Sequence, residues 1–559
     1  MNDLIAPHGG ELVDLFADEA RIAELKESAL SMPSWDVTTR QQADLGLLQS
    51  GAYSPLRGFM GRADYERVLS EMRLADGTLW PLPITLDVGE ALGGKLAPGQ
   101  SLALRDLEGV LLAVLHIEEI WRPDLGAEAQ TLYGTTDPGH PRVSQLLTQT
   151  QPVYLGGRVE GVEAVMHHSF TELRYSPAEL RRQFAKRGWV QVAAFHADAP
   201  LHAAQRELSA RVTRESGANL LLHPVVEEEE DYYYRARCYR AIMDHYPQQT
   251  TLLSLLSIPA RGAGLRRMLW HAVVRRNYGC SHMLWETGAE RGYAIDNNTL
   301  QEAQRRYGAE LGVQLVPHEP LVYVEDSADF QPLSQVRAGA RTRSLDEAEL
   351  LRRLREGLEI PAWFSYPEVI AELRAHYPAR SKQGLTLFFT GLSGAGKSTI
   401  AKVVLAKLLE LGGRPVTLLD GDVVRKNLSS ELGFSREHRN LNIRRIGYVA
   451  SEITKNGGIA ICAPIAPYAE VRREVRQMIS QYGGFIEVHV ATSLAVCEER
   501  DRKGLYAKAR AGVIKEFTGI SDPYEAPENP ELKIDTHGLS IEEAAQRVFL
   551  YLEQQGYIV

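Results

Sequence analysis

The 559-residue chain has only four cysteines, and their spacing excludes two common kinds of site. They lie far apart and include no Cys-x-x-Cys pair: Cys238, Cys280, Cys462 and Cys497. The sequence therefore indicates neither a zinc site nor a disulfide framework. So few cysteines are typical of a protein from a reducing compartment, and we expect a cytoplasmic location.

An excess of positive charge and long apolar runs are also missing. The formal net charge is −10 at pH 7, which argues against a nucleic-acid partner, because such binding needs a basic surface. No uninterrupted apolar stretch approaches the roughly 18 residues of a membrane-spanning helix. The N-terminal residues MNDLIAPHGG lack the basic-then-apolar pattern of a secretion signal. We expect no membrane partner, whereas a local pocket can still bind a small anion.

The most informative segment reads GLSGAGKS and occupies residues 391–398. It fits the pattern of glycine, four free positions and Gly-Lys-Ser, between the apolar run LTLFFT and the helical run IAKVVLAKLLEL. A strand that turns through glycines into a helix N-terminus presents backbone N–H groups to phosphate. We predict that this P-loop binds ATP through the following residues: Gly391, Gly394, Ala395, Gly396, Lys397, Ser398 and Thr399. Lys397 is predicted to reach the β- and γ-phosphates, and Ser398 to hold Mg²⁺.

Two acidic residues follow the second strand of this region, PVTLLDGD. The strand is predicted to end in Asp420-Gly421-Asp422, and both carboxylates then lie on the same side of an extended chain, because side chains alternate along a strand. The carboxyl edge of an α/β sheet is where ligands bind. We therefore predict Asp420 and Asp422 as catalytic residues that orient Mg²⁺ or accept a hydroxyl proton; the alternative is a pair of solvated turn residues.

The chain pattern indicates several domains, since 559 residues exceed one hydrophobic core. Short strand-like runs such as LWPLPITLDV and GVLLAVLHIEEIW predict a β-rich domain over 1–165. Strands such as WVQVAAF alternate with helices such as RRMLWHAVVRRNYG and predict an α/β domain over 166–330. A small bridging piece over 331–378 is followed by strands and helices in alternation over 379–559. That alternation predicts a parallel sheet covered on both faces.

A basic segment, LGFSREHRNLNIRR, surrounds Phe434 with four arginines: Arg436, Arg439, Arg444 and Arg445. Guanidinium groups suit phosphate and sulfate oxygens, and an aromatic ring can stack on a base. The alternative is a solvated basic helix.

Six ordered strings give the C-terminal region a family resemblance over about 384–535: GLSGAGKST, DGDVVRKNL, LGFSREHRN, IAPY, RDRKGLYAKARAG and FTGISDPYEAPENPEL. They resemble the adenylylsulfate (APS) kinase family. The resemblance implies transfer of the γ-phosphoryl group of ATP to the 3′-hydroxyl of APS, which gives PAPS and ADP. It also implies an APS site made by these residues: Asp422, Arg425, Phe434, Arg439, Asn442, Ile465, Lys503 and Phe517.

The resemblance gives most of these residues a role. Asp422 and Arg425 act on the attacking hydroxyl and the substrate phosphate, and Arg439 with Asn442 binds the phosphosulfate and ribose. The rings of Phe434 and Phe517 sandwich the adenine. Some family members carry a serine, proposed as a phosphorylated intermediate, where this chain has Ala466. Without that hydroxyl, we expect direct in-line transfer.

The first 375 or so residues resemble ATP sulfurylase (sulfate adenylyltransferase) in strings such as LGLLQSGAYSPLRGFMGRADYERVL and LWHAVVRRNYGCSH. The resemblance implies a PUA-like N-terminal domain and an α/β nucleotidylyltransferase-like domain. The family reads Gln-Thr-Arg-Asn-Pro followed by a His-x-x-His pair where this chain reads HADAPLHAAQ. A degenerate site is therefore expected at four residues: His196, Asp198, His202 and Gln205.

Two further strings depart from the sulfurylase pattern. Residues 286–291 read ETGAER in place of Gly-Arg-Asp-His-Ala-Gly, and an acidic run at 227–231 replaces a loop with lysine and glycines. At an effective dielectric constant near 20, exchanging arginine for aspartate changes the interaction with a nearby anion by about 8 kcal/mol. We therefore expect no sulfate adenylylation. His202 can be a histidine satisfied within the fold, the acidic run a solvated loop, and Asp198, Glu286 and Glu290 a cation site.

Three functions remain open from the sequence. The first is an APS kinase attached to a non-catalytic sulfurylase-like scaffold, and the second is a bifunctional PAPS synthase with unusual sulfurylase residues. The third is a sulfurylase-like region that senses a sulfur nucleotide and regulates the kinase. Both resemblances imply a homo-oligomer, either a dimer or a hexamer.

Overall fold

The computed structural model describes residues 4–226, 231–285, 295–501 and 503–558. The chain forms two compact units. The first runs to Leu345 and includes Pro361–Leu373, and the second comprises Asp346–Ile360 and the described residues from Arg374 onward. The four predicted domain boundaries stay predictions. In the described part of the chain, no helix has the length and apolar character needed to cross a membrane.

The first unit begins with a six-stranded mixed sheet in the order β1-β4-β5-β6-β2, with β3 also paired to β6. Its strands are β1 (Ser34–Asp36), β2 (Gly58–Phe59), β3 (Leu86–Val88), β4 (Ser101–Arg105), β5 (Leu111–Trp121) and β6 (Val153–Gly161). Its helices are α1 (Glu19–Ser28), α2 (Thr39–Gln49), α3 (Arg62–Glu71), α4 (Glu90–Gly93), α5 (Leu125–Tyr133) and α6 (Pro141–Gln149).

The strand prediction for LWPLPITLDV is largely wrong. Only its last three residues form a strand, Leu86–Val88. Pro81 and Pro83 have no N–H group to donate to a neighbouring strand, which explains why the earlier part stays irregular. The run GVLLAVLHIEEIW contains the long strand β5, as predicted.

The second part of the first unit is a five-stranded sheet in the order β11-β10-β7-β8-β9, in which every pair is parallel. Its strands are β7 (Val192–His196), β8 (Asn219–Leu222), β9 (Thr251–Leu253), β10 (His282–Trp285) and β11 (Gln314–Val316). Its helices are α7 (Pro177–Lys186), α8 (Ala203–Ser216), α9 (Tyr232–Ile242), α10 (Gly264–Asn277) and α11 (Asn297–Leu311). One buried apolar cluster, with members from Val37 to Leu315, spans both sheets of this unit.

A small three-stranded sheet follows in the order β13-β12-β14, with β12 (Leu321–Val324), β13 (Asp329–Pro332) and β14 (Thr342–Arg343). Helices α12 (Glu347–Glu356) and α13 (Pro367–His376) come next along the chain.

The rest of the second unit is built on a five-stranded parallel sheet in the order β16-β17-β15-β18-β19. Its strands are β15 (Leu385–Thr390), β16 (Val416–Asp420), β17 (Ile459–Ala463), β18 (Gly484–Val490) and β19 (Leu532–Ile534). Its helices are α14 (Lys397–Leu411), α15 (Gly421–Leu428), α16 (Arg436–Lys455), α17 (Ala469–Ser480), α18 (Leu494–Arg500), α19 (Leu505–Arg510) and α20 (Ile541–Gln554). This arrangement confirms the predicted α/β fold with a parallel sheet.

Strand β15 is buried along its whole length because helices cover both faces of the sheet. Leu385, Leu387 and Phe389 belong to one apolar cluster together with residues of α14 and α20. Phe388 points to the other cluster, which includes residues of α16 and α17. Thr386 and Thr390 share that second face, and both are buried with hydrogen-bonded hydroxyl groups. Both faces of LTLFFT are therefore buried, as expected for a central strand of a parallel sheet.

Candidate functional site

The P-loop connects β15 to α14, as the sequence predicts. Gly391, Gly394 and Gly396 have φ angles of 151°, 75° and 108°, a region that side chains rarely adopt. A Cβ atom on Gly391 would lie 2.5 Å from the carbonyl oxygen of Val490. Lys397, Ser398 and Thr399 begin α14, so their backbone N–H groups belong to the helix N-terminus. The local geometry thus suits an anion.

Lys397 is buried, and its ammonium group donates to the carbonyl oxygens of Gly391 at 2.9 Å and Leu392 at 2.8 Å. Burial lowers the pKa of Lys397 to about 8. The charge of Lys503 lowers this pKa further and that of Asp420 raises it, so both predicted site residues act on Lys397 electrostatically. Lys503 itself is exposed.

Three hydroxyl groups from other segments support the P-loop. Thr492 and Thr536 each donate to the carbonyl oxygen of Ala395 at 3.1 Å. The hydroxyl group of Tyr506 donates to the carbonyl oxygen of Ser393 at 2.8 Å. These contacts involve residues about 100 or more positions away, so the local motif could not predict them.

The predicted geometry of Asp420 and Asp422 is wrong. Strand β16 ends at Asp420, and α15 begins at Gly421. Strand alternation therefore does not relate the two residues, because the chain turns into a helix directly after Asp420. The side chain of Asp422 lies outside the part that the structure describes. The proposed catalytic and APS-binding roles of Asp422 stay predictions.

Arg439 lies in the first turns of α16, and its side chain is only 12% exposed. Its Nη1 atom donates to Thr518 Oγ1 at 2.9 Å and pairs with Asp522 Oδ2 at 3.0 Å. No group among the described residues accepts a hydrogen bond from Nε or Nη2. Asn442, one helical turn further, is buried, and its Oδ1 has no partner within the same described set. Buried polar atoms usually have a hydrogen-bond partner, so these atoms are available to a ligand or a water molecule.

The remaining predicted APS residues are divided among several segments. Arg425 stacks on the exposed ring of Phe434, with the guanidinium carbon 4.5 Å from the ring centroid. The carbonyl oxygen of Ile465 accepts from the Thr390 hydroxyl at 2.7 Å, next to the P-loop. Phe517 packs edge-on against Tyr506, with ring centroids 5.0 Å apart.

Besides Arg439, two of the four arginines around Phe434 form ion pairs. Arg444 pairs with Glu474 at 2.6 Å, and Arg445 pairs with Glu431 at 2.6 Å. Both pairs are partly exposed, and such pairs contribute little to stability. For Arg444 and Arg445, the structure favours the alternative of a basic helix face over a role in the site.

No group of three or more His, Cys, Asp or Glu residues that could hold a metal ion occurs among the described residues. Mg²⁺ usually binds one or two protein oxygens together with the phosphates of its nucleotide. Ser398 at the start of α14 and Asp420 at the end of β16 supply oxygen ligands of the required kind. They fit Mg²⁺ that arrives with ATP.

In the first unit, the predicted degenerate residues have contacts within the fold. His196 at the end of β7 stacks on Trp285 with ring centroids 4.1 Å apart, and its Nδ1 lies 3.1 Å from Nη2 of Arg275. Burial holds the pKa of His196 well below its ordinary value, and the charge of Arg275 adds to this effect. A neutral imidazole therefore replaces the glutamine of the family pattern.

His202 and Gln205 lie at the start of α8. His202 Nδ1 is 2.8 Å from the Ser365 hydroxyl, and burial lowers the His202 pKa to about 4. Gln205 accepts from the backbone N–H of His202 at 3.1 Å, which caps the helix. His202 thus has a partner inside the fold, in keeping with the alternative interpretation of this residue.

The carbonyl oxygen of Asp198 accepts from Arg235 at 2.9 Å. Glu286, Glu290 and residues 227–230 lie outside the described residues, so the proposed cation site and most of the acidic run stay predictions. The tyrosines that follow the acidic run are not part of a solvated loop, because α9 begins at Tyr232, which is fully buried.

Comparison with known proteins assigns a family to three successive regions. The family model of a PUA-like domain matches residues 5–164, that of ATP-sulfurylase matches 171–376, and that of adenylylsulphate kinase matches 383–535. A sulfate adenylyltransferase of Chaetomium globosum is 43% identical over 99% of both chains. One from Coccidioides immitis is 44% identical over the same shares.

A solved structure is similar to the whole chain. It is described as a hexameric APS kinase from Thiobacillus denitrificans, is 44% identical, covers 100% of both chains and superimposes with a TM-score of 0.82.

Proposed function

Because the chain belongs to the family that joins an ATP-sulfurylase region to an adenylylsulphate kinase region, we propose that it phosphorylates APS at the expense of ATP. The γ-phosphoryl group passes to the 3′-hydroxyl of APS and gives PAPS and ADP. The proposal rests on the side chain of Arg439. Its guanidinium group is buried, and Nε and Nη2 lack acceptors among the described residues. Arg439 lies in the same unit as a complete P-loop.

The proposed mechanism depends on positioning and charge. The N–H groups at the start of α14 and Lys397 oppose the charge on the transferring group, and Mg²⁺, which Ser398 would hold, would supply further positive charge. Asp420 and Asp422 act on Mg²⁺ or on the attacking hydroxyl. Phe434 and Phe517 hold the adenine of APS, while Arg439 and Asn442 bind its acidic and ribose groups.

Product analysis tests the kinase proposal directly. The purified full chain with Mg²⁺, ATP and APS should form PAPS and ADP in equal amounts, as separated by ion-exchange chromatography. Omitting APS should leave ATP intact. Consumption of ATP without PAPS would contradict the proposal.

We propose that the sulfurylase-like region lacks sulfate adenylyltransferase activity and acts as a scaffold. Its supporting observations are the aspartate at position 198 and the internal contacts of His196, His202 and Gln205. A bifunctional enzyme is the second candidate, because relatives 43–44% identical over 99% of the chain are named sulfate adenylyltransferase. We also propose a homo-oligomer, since the similar Thiobacillus denitrificans protein is described as hexameric. The four widely spaced cysteines support a cytoplasmic location.

The pH dependence of ATP use should report on Lys397. Its pKa of about 8 means that the free enzyme loses this charge as the pH rises through 8. ATP then binds only with uptake of a proton, so kcat/KM for ATP should fall about tenfold per pH unit well above pH 8. Calorimetry of a non-hydrolysable ATP analogue in buffers of different ionisation enthalpy measures this uptake at pH 9. Absence of proton uptake there would refute the assignment.

No phosphorylated enzyme should accumulate during turnover. Ala466 is buried and has no hydroxyl, and its carbonyl oxygen accepts from Arg472 at 2.7 Å. The Thr390 hydroxyl nearby is bonded to the carbonyl oxygen of Ile465. We expect protein incubated with γ-labelled ATP in the absence of APS to carry no label after denaturing gel filtration. Stoichiometric label that APS then removes would show a covalent intermediate.

A further inference from the structure

One edge of the Arg439 guanidinium group has no acceptor among the described residues. Nε and Nη2 carry parallel N–H bonds on the same edge of the planar group, and both lack an acceptor in that set. Two parallel donors match two oxygen atoms of a phosphate or sulfate group. The orientation of this edge therefore decides whether the arginine can bind an acid group in bidentate fashion.

The opposite side of the guanidinium group is fixed by a carboxylate. Asp522 Oδ2 lies 3.0 Å from Arg439 Nη1 and also accepts from the Tyr468 hydroxyl at 2.8 Å. Thr518 Oγ1 accepts from the same Nη1 at 2.9 Å. The guanidinium group lies over the Tyr468 ring, 5.5 Å from its centroid. Two side chains thus contact Nη1 of Arg439, Tyr468 lies beneath the guanidinium group, and neither Nε nor Nη2 has an acceptor among the described residues.

Asp522 is itself held by a closed turn. The backbone N–H of Asp522 donates to the carbonyl oxygen of Phe517 at 3.1 Å, and that of Gly519 donates to the carbonyl oxygen of Asp522 at 2.7 Å. The Ser521 hydroxyl accepts from the backbone N–H of Phe517 at 2.9 Å. The turn therefore carries both the carboxylate that contacts Arg439 and the ring expected to contact adenine.

We infer that Asp522 is a positioning residue for APS: it fixes Nη1 of Arg439 so that the Nε and Nη2 edge faces the acid group of the substrate. This inference rests on the proposed kinase function. If Asp522 positions Arg439, it strengthens APS binding. Simple electrostatics predicts instead that Asp522 weakens APS binding, since a carboxylate close to an anionic ligand repels it. The two explanations therefore differ in the sign of the effect on APS binding when Asp522 is replaced.

Steady-state kinetics of Asp522→Ala and Asp522→Asn test this sign. Charge-assisted hydrogen bonds are strong enough that KM for APS should rise about 10-fold to 100-fold, while KM for ATP stays within about twofold. Glu528→Gln, which removes an exposed carboxylate from the same loop, should change neither value. An unchanged or lower KM for APS in both Asp522 variants would overturn the inference.

A double-mutant cycle separates positioning from a general loss of structure. In an Arg439→Ala background, Asp522→Ala should raise KM for APS by less than about twofold, because its effect passes through the arginine. If Asp522→Ala raised KM for APS by the same factor in the wild-type and Arg439→Ala backgrounds, the inference would be wrong. Tyr468→Phe, which removes only the hydroxyl donor to Asp522, should raise KM for APS without raising KM for ATP. An unchanged KM for APS in this variant would contradict the part of the inference that concerns Tyr468.

Equilibrium binding distinguishes failure of this inference from failure of the proposed function. Calorimetric binding of APS requires no turnover, so weaker binding by Asp522→Ala remains measurable even if the wild-type chain makes no PAPS. Wild-type protein that makes PAPS, together with Asp522 variants that bind APS normally, would refute the positioning role alone.

Discussion

Lys397→Ala should abolish PAPS formation. The lysine is the buried cation of the P-loop, and its ammonium group is held by the carbonyl oxygens of Gly391 and Leu392 next to the expected phosphate position. Removing a charge-stabilising donor from a phosphoryl-transfer site costs about 3–4 kcal/mol, so kcat should fall by about two to three powers of ten. The measurement is initial-rate PAPS formation at saturating ATP and APS.

A matched variant on the same helix controls for effects on folding. Lys402→Ala removes an exposed lysine from α14 and should leave the rate and the thermal midpoint unchanged. The thermal midpoint of Lys397→Ala should lie within a few degrees of the wild-type value. If the folded Lys397→Ala protein retained the wild-type rate, the P-loop would have no part in the reaction.

Pyrophosphate-dependent formation of ATP from APS should be undetectable. In the sulfurylase pattern an arginine binds sulfate where this chain has Asp198, and the charge exchange alone changes the interaction by about 8 kcal/mol at an effective dielectric constant near 20. That corresponds to several powers of ten in activity. Gln205, which caps α8, adds the loss of the second histidine of the family pattern.

The reverse assay is best performed with Lys397→Ala protein, because the kinase then does not consume the APS. An authentic ATP sulfurylase, added to a parallel sample, verifies that the assay detects ATP. Turnover by the Lys397→Ala protein that disappears in Lys397→Ala/His202→Ala would establish the bifunctional alternative. Turnover that survives the His202 change would point to a contaminating enzyme.

The local sequence predicted the elements that depend on neighbouring residues. The P-loop glycines require backbone angles that other residues rarely adopt, and LTLFFT lacks charged residues because β15 is buried on both sides. The basic segment also contains Arg439, whose Nε and Nη2 have no acceptor among the described residues. Each of these signals lies within a few residues along the chain, and periodicity or a short motif is enough to find it.

The missed features depend on contacts between distant segments. Asp522 contacts Arg439 across 83 positions of the chain, although it stands inside a string that resembles the family. In that string, the resemblance assigns a role only to Phe517. The start of α15 was missed for another reason: DGD after a strand suits both a continued strand and a turn, and the helix that begins at Gly421 decides between them.

The shared apolar interior of the first unit has an evolutionary consequence. Its members extend from Val37 in the β-rich region to Leu315 in the α/β region, so neither region could be deleted without exposing the interior of the other to water. Substitutions at Asp198 or Gln205 change side chains at the end of a strand and the start of a helix, where they leave that interior intact. A lineage can therefore lose an activity in small steps, while losing the polypeptide that once supported it would require one large and destabilising step.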